Sequence, residues 1–559
     1  MKELLKNNLS AIAFFFVLAI AVLWQMLLPG YILSLDMVFA PTFKVFWPSD
    51  GFYNTMPLNY FLHLLSYFFS GWVIQKIILL TIFFSIGFLP YYFLSIPKKY
   101  YLPYLAGLFF VINPFVYERF LAGHWPLLLS YALIPVFISS LIKFYQTTRL
   151  KDSLVLFFVI FLMGIFSLHF LSMALVILFL YSIYQFIKRI LLKDTKTIFS
   201  ISSKLIAGLI LFLILSSYWL IPYLLNTERS SLVDFGQENF ELFKTSGGEK
   251  INTLVNVLGL YGYWGETRPW ANYFLWPQDN FFLWLPLLVI ILSFVAFGIY
   301  YSFRHYDFDR SILFLIILVF SFIFSLGIGD SIFKPINQWL FNNIWFWPGF
   351  RDSQKWSGFL VLSYVYFFSF GAYGFLESIK KISGQSLKYF IIILFLIPTL
   401  YTYTIWGGFA RQLKSIWYPQ SWHQANVILN QDQDDFKVLF LPWHQYLSLQ
   451  FNQNLITQNP AKAFFDKDII QGENMELGEV YSQGGEKLIW EIQSILLGSN
   501  NDLNDEMVEK LAEKGIKYIV LANDLAEIEG NVISFSEKSL NLVKIFEAKN
   551  LTILKIVVR

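Results

Sequence analysis

The chain has 559 residues, of which 56% are hydrophobic and only 14% charged, against about 25% charged in an ordinary soluble domain. It has no cysteine, which excludes disulfides, thiolate metal sites and cysteine nucleophiles together. The net charge of +3 divides into 27 basic and 18 acidic residues over 1–406 but 14 and 20 over 407–559. That pairing of a cationic membrane part with an acidic tail argues against nucleic acid as a partner.

Apolar runs of spanning length occur near 11–28, 72–95, 100–115, 125–145, 153–168, 170–187, 204–223, 281–301, 311–327, 357–376 and 388–406. They predict a polytopic α-helical membrane domain of about 11 transmembrane helices, since each crossing needs about 20 apolar residues. Basic residues precede the first run, but "WQMLLPGYILS" has no small-x-small cleavage site, so it is expected to remain as an uncleaved helix. With the N-terminus in the cytoplasm, the inner connections collect 17 basic and 6 acidic residues and the outer ones 10 and 12. This bias predicts an N-in, C-out protein of the plasma membrane. The long connections, 29–71, 224–280 and 328–356, then lie outside, and long ordered loops are where function gathers.

Taken in order, the first outer loop holds "SLDMVFAP", with Asp36 isolated among apolar residues, and Asp50 in an Asp-Gly turn. "TMPLNYFLHLLSYFF" follows as an apolar helix lying at the membrane interface. The next connection, "NPFVYERFLAGHWPLLLSYALIP", brings Glu118, Arg119 and His124 close to hydrocarbon, where ionisable groups are costly unless paired or used. His169, in "FSLHFLS", falls at the outer end of two segments, either as a core residue or as a site residue. Glu266, in "YGYWGETRPW", binds sugar or caps its loop. In "FRDSQKW", Arg351 and Lys355 are four apart and share a face if the following helix starts early; such a pair suits a lipid-linked phosphate or headgroup anchoring.

From 407 to 559 the pattern changes to short β-like runs ("FKVLFLP", "IKYIVLA", "LTILKIVV") separated by polar helical stretches. This predicts a soluble extracytoplasmic α/β domain, with a packing or glycan-contacting role rather than a second active site. No GxxxxGK[ST] or GxGxxG opens a helix, and no GxSxG or HExxH occurs. Few acids fall inside the helices, which disfavours an ion-coupled transporter.

The outward first loop with one acid, the many helices, "NPFVYERFLAGHWPLLLSYALIP", "FRDSQKW" and the tail strings "YPQSW", "VLFLPWHQY" and "KGIKYIVLA" together resemble the GT-C superfamily of membrane glycosyltransferases. Within it, the chain is similar to proteins related to arabinofuranosyltransferases and to YfhO-type lipoteichoic-acid glycosyltransferases. The resemblance implies a polyprenyl-phosphate-linked sugar donor, a cell-envelope glycan, lipid or protein acceptor, and inverting transfer. Asp36 matches the first-loop acid and would be the general base. Arg119, His124, Arg351 and Lys355 would stabilise the departing phosphate, with Glu118, His169 and Glu266 in the same substrate site. Many members carry paired acids in this loop, whereas Leu35 and Met37 flank a single Asp36 here. Whether a divalent cation (Mg or Mn) is held, by Asp36 with Glu118, is therefore open, as is whether Glu118 instead orients Arg119. The rival functions are a lipid-linked glycan transporter or flippase and a non-catalytic envelope-assembly scaffold. In a glycosyltransferase, Asp36, the Glu118–His124 cluster and Arg351 should converge on one outward cavity with a lateral opening to lipid.

Overall fold

The computed structural model describes residues 2–45, 53–225, 237–248, 250–268, 274–329, 331–380, 384–473, 476–477, 480–481, 487–497, 502–525, 536–537 and 539–557. Asp50 lies outside them. Every apolar run of the sequence falls on a helix, from Lys2–Leu23 to Gly384–Tyr401. Among the described residues nine helices are long and apolar enough to cross a membrane. A tenth is made if Ser386–Tyr401 and Tyr403–Ala410, bent by 74°, form one broken span. The difference from eleven falls at Leu150–Phe166, which has 17 residues, slightly fewer than the roughly 20 of a perpendicular crossing.

These helices are apolar on all sides because their solvent is lipid as well as protein. Thr195–Leu225 carries Ile206, Ile210, Ile214 and Leu224 exposed. Ser357–Ile379, by contrast, is buried along nearly its whole length and is the axis of the bundle. It crosses Phe281–His305 with their backbones in contact. A Cβ at Gly298 would overlap the Phe367 carbonyl, and one at Gly371 would overlap that of Phe294. Small residues allow this approach, and dispersion rather than hydrophobic exclusion holds it in lipid.

One break matters for the site. The third span stops at Val111 and restarts as Pro114–Leu121. Pro114 has no N–H to continue the ladder, and Asn113 satisfies the freed groups. Its Oδ1 accepts from Val116 N at 3.1 Å, and its amide donates to Phe109 O at 3.1 Å and Phe110 O at 2.8 Å. Asn113 thus supplies partners for backbone groups at the break, as apolar depth requires, and the break directs Glu118 and Arg119 towards the loops at one end of the bundle.

The two ends differ in character. At one, loops 29–45, 122–124, 259–268 and 344–356 pack together with the tail. At the other lie the basic connections, held by pairs such as Lys188–Asp309 at 2.6 Å and Lys380–Glu377 at 2.7 Å. Between Ser66 and the span at Gly71, the helix Met56–Ser66 and its exit expose Tyr60, Phe61, Leu64, Tyr67 and Phe68, the amphipathic pattern of an interfacial helix.

The tail builds a five-stranded sheet in the order Leu542–Glu547, Leu551–Ile556, Ile516–Ala522, Lys437–Leu441, Asp468–Ile470. Lys437–Leu441 runs parallel to both neighbours and the last hairpin is antiparallel. Both of its faces are apolar because helices cover them: Trp422 packs flat on Phe465 with ring centroids 5.4 Å apart, while Ile492 and Leu511 are buried with Leu439 and Ile519 on the other. A small antiparallel pair, Tyr446–Ser448 with Ile456–Gln458, stands apart from this sheet.

Candidate active site

That small pair docks on the first loop. Leu35 N donates to Ile456 O at 3.0 Å and Gln458 N donates to Leu35 O at 2.8 Å, so Leu35 is stitched between two residues of the tail. Leu35 has φ of +43°, a left-handed conformation that costs a branched residue about 1–3 kcal/mol; these bonds to the tail help hold it there. From the other side, Asp36 N donates to Ala122 O at 3.2 Å and Ser34 Oγ to Leu121 O at 2.6 Å. Gly123, at φ +81°, lies so close that a Cβ would overlap the backbone of Ser34–Met37. Three chain segments far apart in sequence therefore fix one aspartate.

The Asp36 side chain is 43% exposed and both oxygens are engaged. Oδ1 accepts from the Tyr446 hydroxyl at 2.5 Å, and Oδ2 lies 3.2 Å from His124 Nε2. His124 Nδ1 faces Arg119 Nη1 at 3.5 Å. A guanidinium can only donate, so Nδ1 is the acceptor and Nε2 carries the proton given to Asp36. Burial pushes the His124 imidazole below its ordinary value, although Asp36 pulls it back; it is neutral at pH 7. Burial works the opposite way on Asp36, but the His124 hydrogen bond, that of Tyr446 and the Lys355 charge together hold its carboxyl below the ordinary value. Asp36 is ionised. Tyr446, pushed well up by burial and by the Asp36 charge, keeps its proton and donates.

Behind His124 lies a buried charge network. Arg119, wholly buried, forks onto both oxygens of Asp352, with its Nη2–Oδ1 bond at 2.9 Å. Its Nη2 also donates to Gln354 Oε1, and Gln354 Nε2 donates to Glu118 Oε2 at 2.8 Å. The guanidinium lies 5.0 Å from the Tyr263 ring centroid. Burial alone would raise Asp352; Arg119, then Lys355, hold it far below the usual carboxylate range. Asp352 and Gln354 thus touch Arg119 directly, and Glu118 reaches it through Gln354.

Arg351 and Lys355 do not share a helix face. They lie at the ends of two 3₁₀ turns, Trp347–Phe350 and Ser353–Trp356, that lead into Ser357–Ile379. Arg351 stacks over Phe243 at 4.7 Å, and burial lowers its guanidinium to about 10, leaving it charged at neutral pH. Lys355 Nζ is 3.1 Å from His169 Nε2 and 3.7 Å from Asp352 Oδ2. His169 Nε2 is also 2.9 Å from Gly349 O; a single imidazole nitrogen cannot both donate to that carbonyl and accept from Lys355. The Lys355 ammonium therefore has one exchangeable neutral neighbour and one ion pair, with Asp352.

Glu266 accepts from Gly262 N at 2.7 Å and Asn256 Nδ2 at 2.8 Å, contacts that hold its loop. Burial raises its carboxyl above the ordinary value, with Glu118 adjacent. Glu118 turns towards Glu266 and Gln354 rather than Asp36, and among the described residues no three His, Asp or Glu side chains gather as a cation site.

Asp36, Glu118, Arg119, His124, His169, Glu266, Arg351 and Lys355 thus lie in one continuous cluster. Sequence reasoning missed Asp352, Gln354 and Tyr446. The first carried a readable signal, because an arginine near hydrocarbon needs a carboxylate and Asp352 stands inside "FRDSQKW". Tyr446 had none, since its place depends on how the tail docks.

No protein-family model matches the chain, and no curated protein does. Solved structures do. The arabinofuranosyltransferase AftD from Mycobacteria matches at 14% identity and a TM-score of 0.61, over 99% of this chain and 40% of AftD. Two classes of a single-residue variant of the same enzyme match at 14% identity, with TM-scores of 0.61 and 0.58 over 99% and 98% of this chain and 42% and 41% of theirs. The chain thus spans about two fifths of the length of the enzyme it matches. Along almost all of its own length, this chain of membrane-length helices shares the fold of AftD.

Proposed function

We propose that the chain is an inverting membrane glycosyltransferase that moves a sugar from a polyprenyl-phosphate donor to an envelope glycan, lipid or protein acceptor. The observation that carries this reading is Asp36: an ionised carboxylate, 43% exposed, held at both oxygens and standing in front of buried cations. Asp36 takes the proton of the acceptor hydroxyl as that oxygen bonds to the anomeric carbon. The anomeric carbon–phosphate bond breaks on the opposite face, and its electron pair leaves with the phosphate. A phosphate leaving group needs no general acid, so one carboxylate suffices. Lys355 and Arg351 receive the charge that develops on phosphate, while Arg119, already committed to Asp352, positions His124. The positive-inside bias supports an extracytoplasmic position for this end of the bundle and for the tail.

The ionisable groups of this cluster lie at an end of the bundle rather than along the helices, which favours transfer at the surface over passage through the bundle. The deciding experiment incubates the purified, reconstituted protein with a panel of polyprenyl-phosphate sugars, arabinofuranosyl included because AftD is an arabinofuranosyltransferase. A product of inverted anomeric configuration is expected; no transfer from any donor, or retained configuration, refutes the proposal.

Two variants report on separate parts. Lys355→Met removes a cation held by a 3.1 Å contact with His169 and a 3.7 Å ion pair with Asp352 and should lower kcat/KM for the donor about 10²-fold, with acceptor KM unchanged in steady-state kinetics. Tyr446→Phe removes one hydrogen bond to the Asp36 charge and should lower kcat about tenfold. Because that bond helps depress the Asp36 carboxyl, the acid limb of the pH–rate profile should move to higher pH. A kcat loss without that move would mean that Tyr446 only docks the tail.

A further inference from the structure

A second site lies at the opposite end of the bundle. A cavity of ≈ 100 Å³ opens between the end of Gly71–Phe93 and the helices Ile134–Thr147, Phe308–Leu326 and Ser357–Ile379. One part of its wall is apolar, with Ile138, Ile142 and Phe314; the other is polar, with Ser139, Lys143 and Arg310. Both charged residues of the wall are cations. The carboxylates near them divide their oxygens: Asp152 Oδ2 accepts from Thr147 Oγ1 at 2.7 Å while its Oδ1 faces Lys143, and Asp307 Oδ1 caps its own helix by accepting from Arg310 N at 3.2 Å while its Oδ2 faces Arg310 Nε. The ion pairs they leave for the wall are long, 3.4 Å to Lys143 and 3.5 Å to Arg310. Arg310 Nε is buried, with Asp307 Oδ2 at 3.5 Å and no hydrogen bond, while Lys143 is 65% exposed.

A half-apolar, half-cationic recess between membrane helices fits a phosphate that arrives with a hydrocarbon body. We propose that this cavity binds the phosphodiester headgroup of an anionic membrane glycerophospholipid, with Arg310 and Lys143 on the phosphate oxygens and the acyl chains running along Ile138, Ile142 and Phe314. Bound there, the lipid joins four helices, among them the Ser357–Ile379 axis, at whose other end the turn Ser353–Trp356 carries Lys355. The site is independent of the transfer chemistry and stands whether or not the chain is a glycosyltransferase.

The full chain, purified in mild detergent, is mixed with phosphatidylglycerol or phosphatidylcholine and examined by native mass spectrometry, with and without inorganic phosphate. Phosphatidylglycerol should be retained in preference to phosphatidylcholine, and each of Lys143→Gln and Arg310→Gln should weaken that retention about fivefold. Lys380→Gln, an exposed cation at the same end that is paired with Glu377, should leave it unchanged. Unaltered retention in the Lys143→Gln/Arg310→Gln double variant overturns the site. Equal loss in Lys380→Gln overturns it in favour of a diffuse basic surface. Displacement by inorganic phosphate at concentrations that also protect the chain against heat means that a free anion is the ligand, and overturns the lipid assignment. The Lys143→Arg/Arg310→Lys variant keeps both charges and should keep retention; failure there alongside a normal melting profile also counts against the proposal.

Discussion

Asp36→Asn should abolish transfer, with kcat down at least about 10³-fold, while the protein inserts, folds and melts like the parent. The substitution separates chemistry from architecture. The asparagine carbonyl still accepts from Tyr446, and the backbone bonds of Leu35 and Asp36 to the tail and to Ala122 do not involve the side chain. What is lost is the charge and the capacity to take a proton. His124 cannot substitute, because its Nε2 carries the proton facing residue 36 and its Nδ1 is turned to Arg119. The parent should show an acid limb below the ordinary aspartate range, because hydrogen bonds from His124 and Tyr446 outweigh burial and depress the Asp36 carboxyl. Activity is then present above that limb and lost as pH falls through it. Steady-state transfer assays on parent and variant decide the matter, with circular dichroism and thermal melting as the check on folding. A well-folded Asn variant with parental activity removes Asp36 as the base.

The membrane part was legible because spanning a bilayer imposes a long apolar run for each crossing. Each predicted run falls on a helix, and the interfacial helix at Met56–Ser66 followed from one amphipathic stretch. The extent of the 150–166 helix and the 74° bend after Tyr401 were not, since hydropathy reports composition and not where a helix stops. The grouping of Asp36 with Arg119 and His124 could be reached by sorting ionisable residues to one side. Their pairing could not. Arg351 and Lys355 would share a face only if the helix started early, but it starts at Ser357; Pro348 and the Gly349–Asp352 turn break the approach into 3₁₀ turns and send the two cations to different partners. In the tail, alternation exposed the strands, but the contact of Tyr446 with Asp36 spans 410 positions. It arises from backbone pairing at Leu35, which leaves no side-chain pattern to read.

Asp352→Ala should be the most destabilising single change in the site. It leaves Arg119, wholly buried, without the carboxylate on which its guanidinium forks, and an unpaired buried charge of this kind costs about 3–5 kcal/mol. The thermal midpoint in detergent should fall and transfer should be lost with it, so the single variant cannot separate stability from function. The double variant Arg119→Met/Asp352→Leu can. Replacing both members of a buried pair with apolar groups of similar volume is often neutral or stabilising, so most of the lost stability should return. Transfer should not, because Arg119 faces His124 Nδ1 and Asp352 is the carboxylate nearest to Lys355 Nζ, at 3.7 Å. Without that pair the His124 tautomer is no longer dictated, and Lys355 loses the charge that balances it between donor complexes. Thermal melting and transfer assays on the single and double variants give the two readouts. A stable and active double variant reduces the Arg119–Asp352 pair to a packing element. A stable but inactive one makes it the electrostatic support on which Asp36 and Lys355 depend.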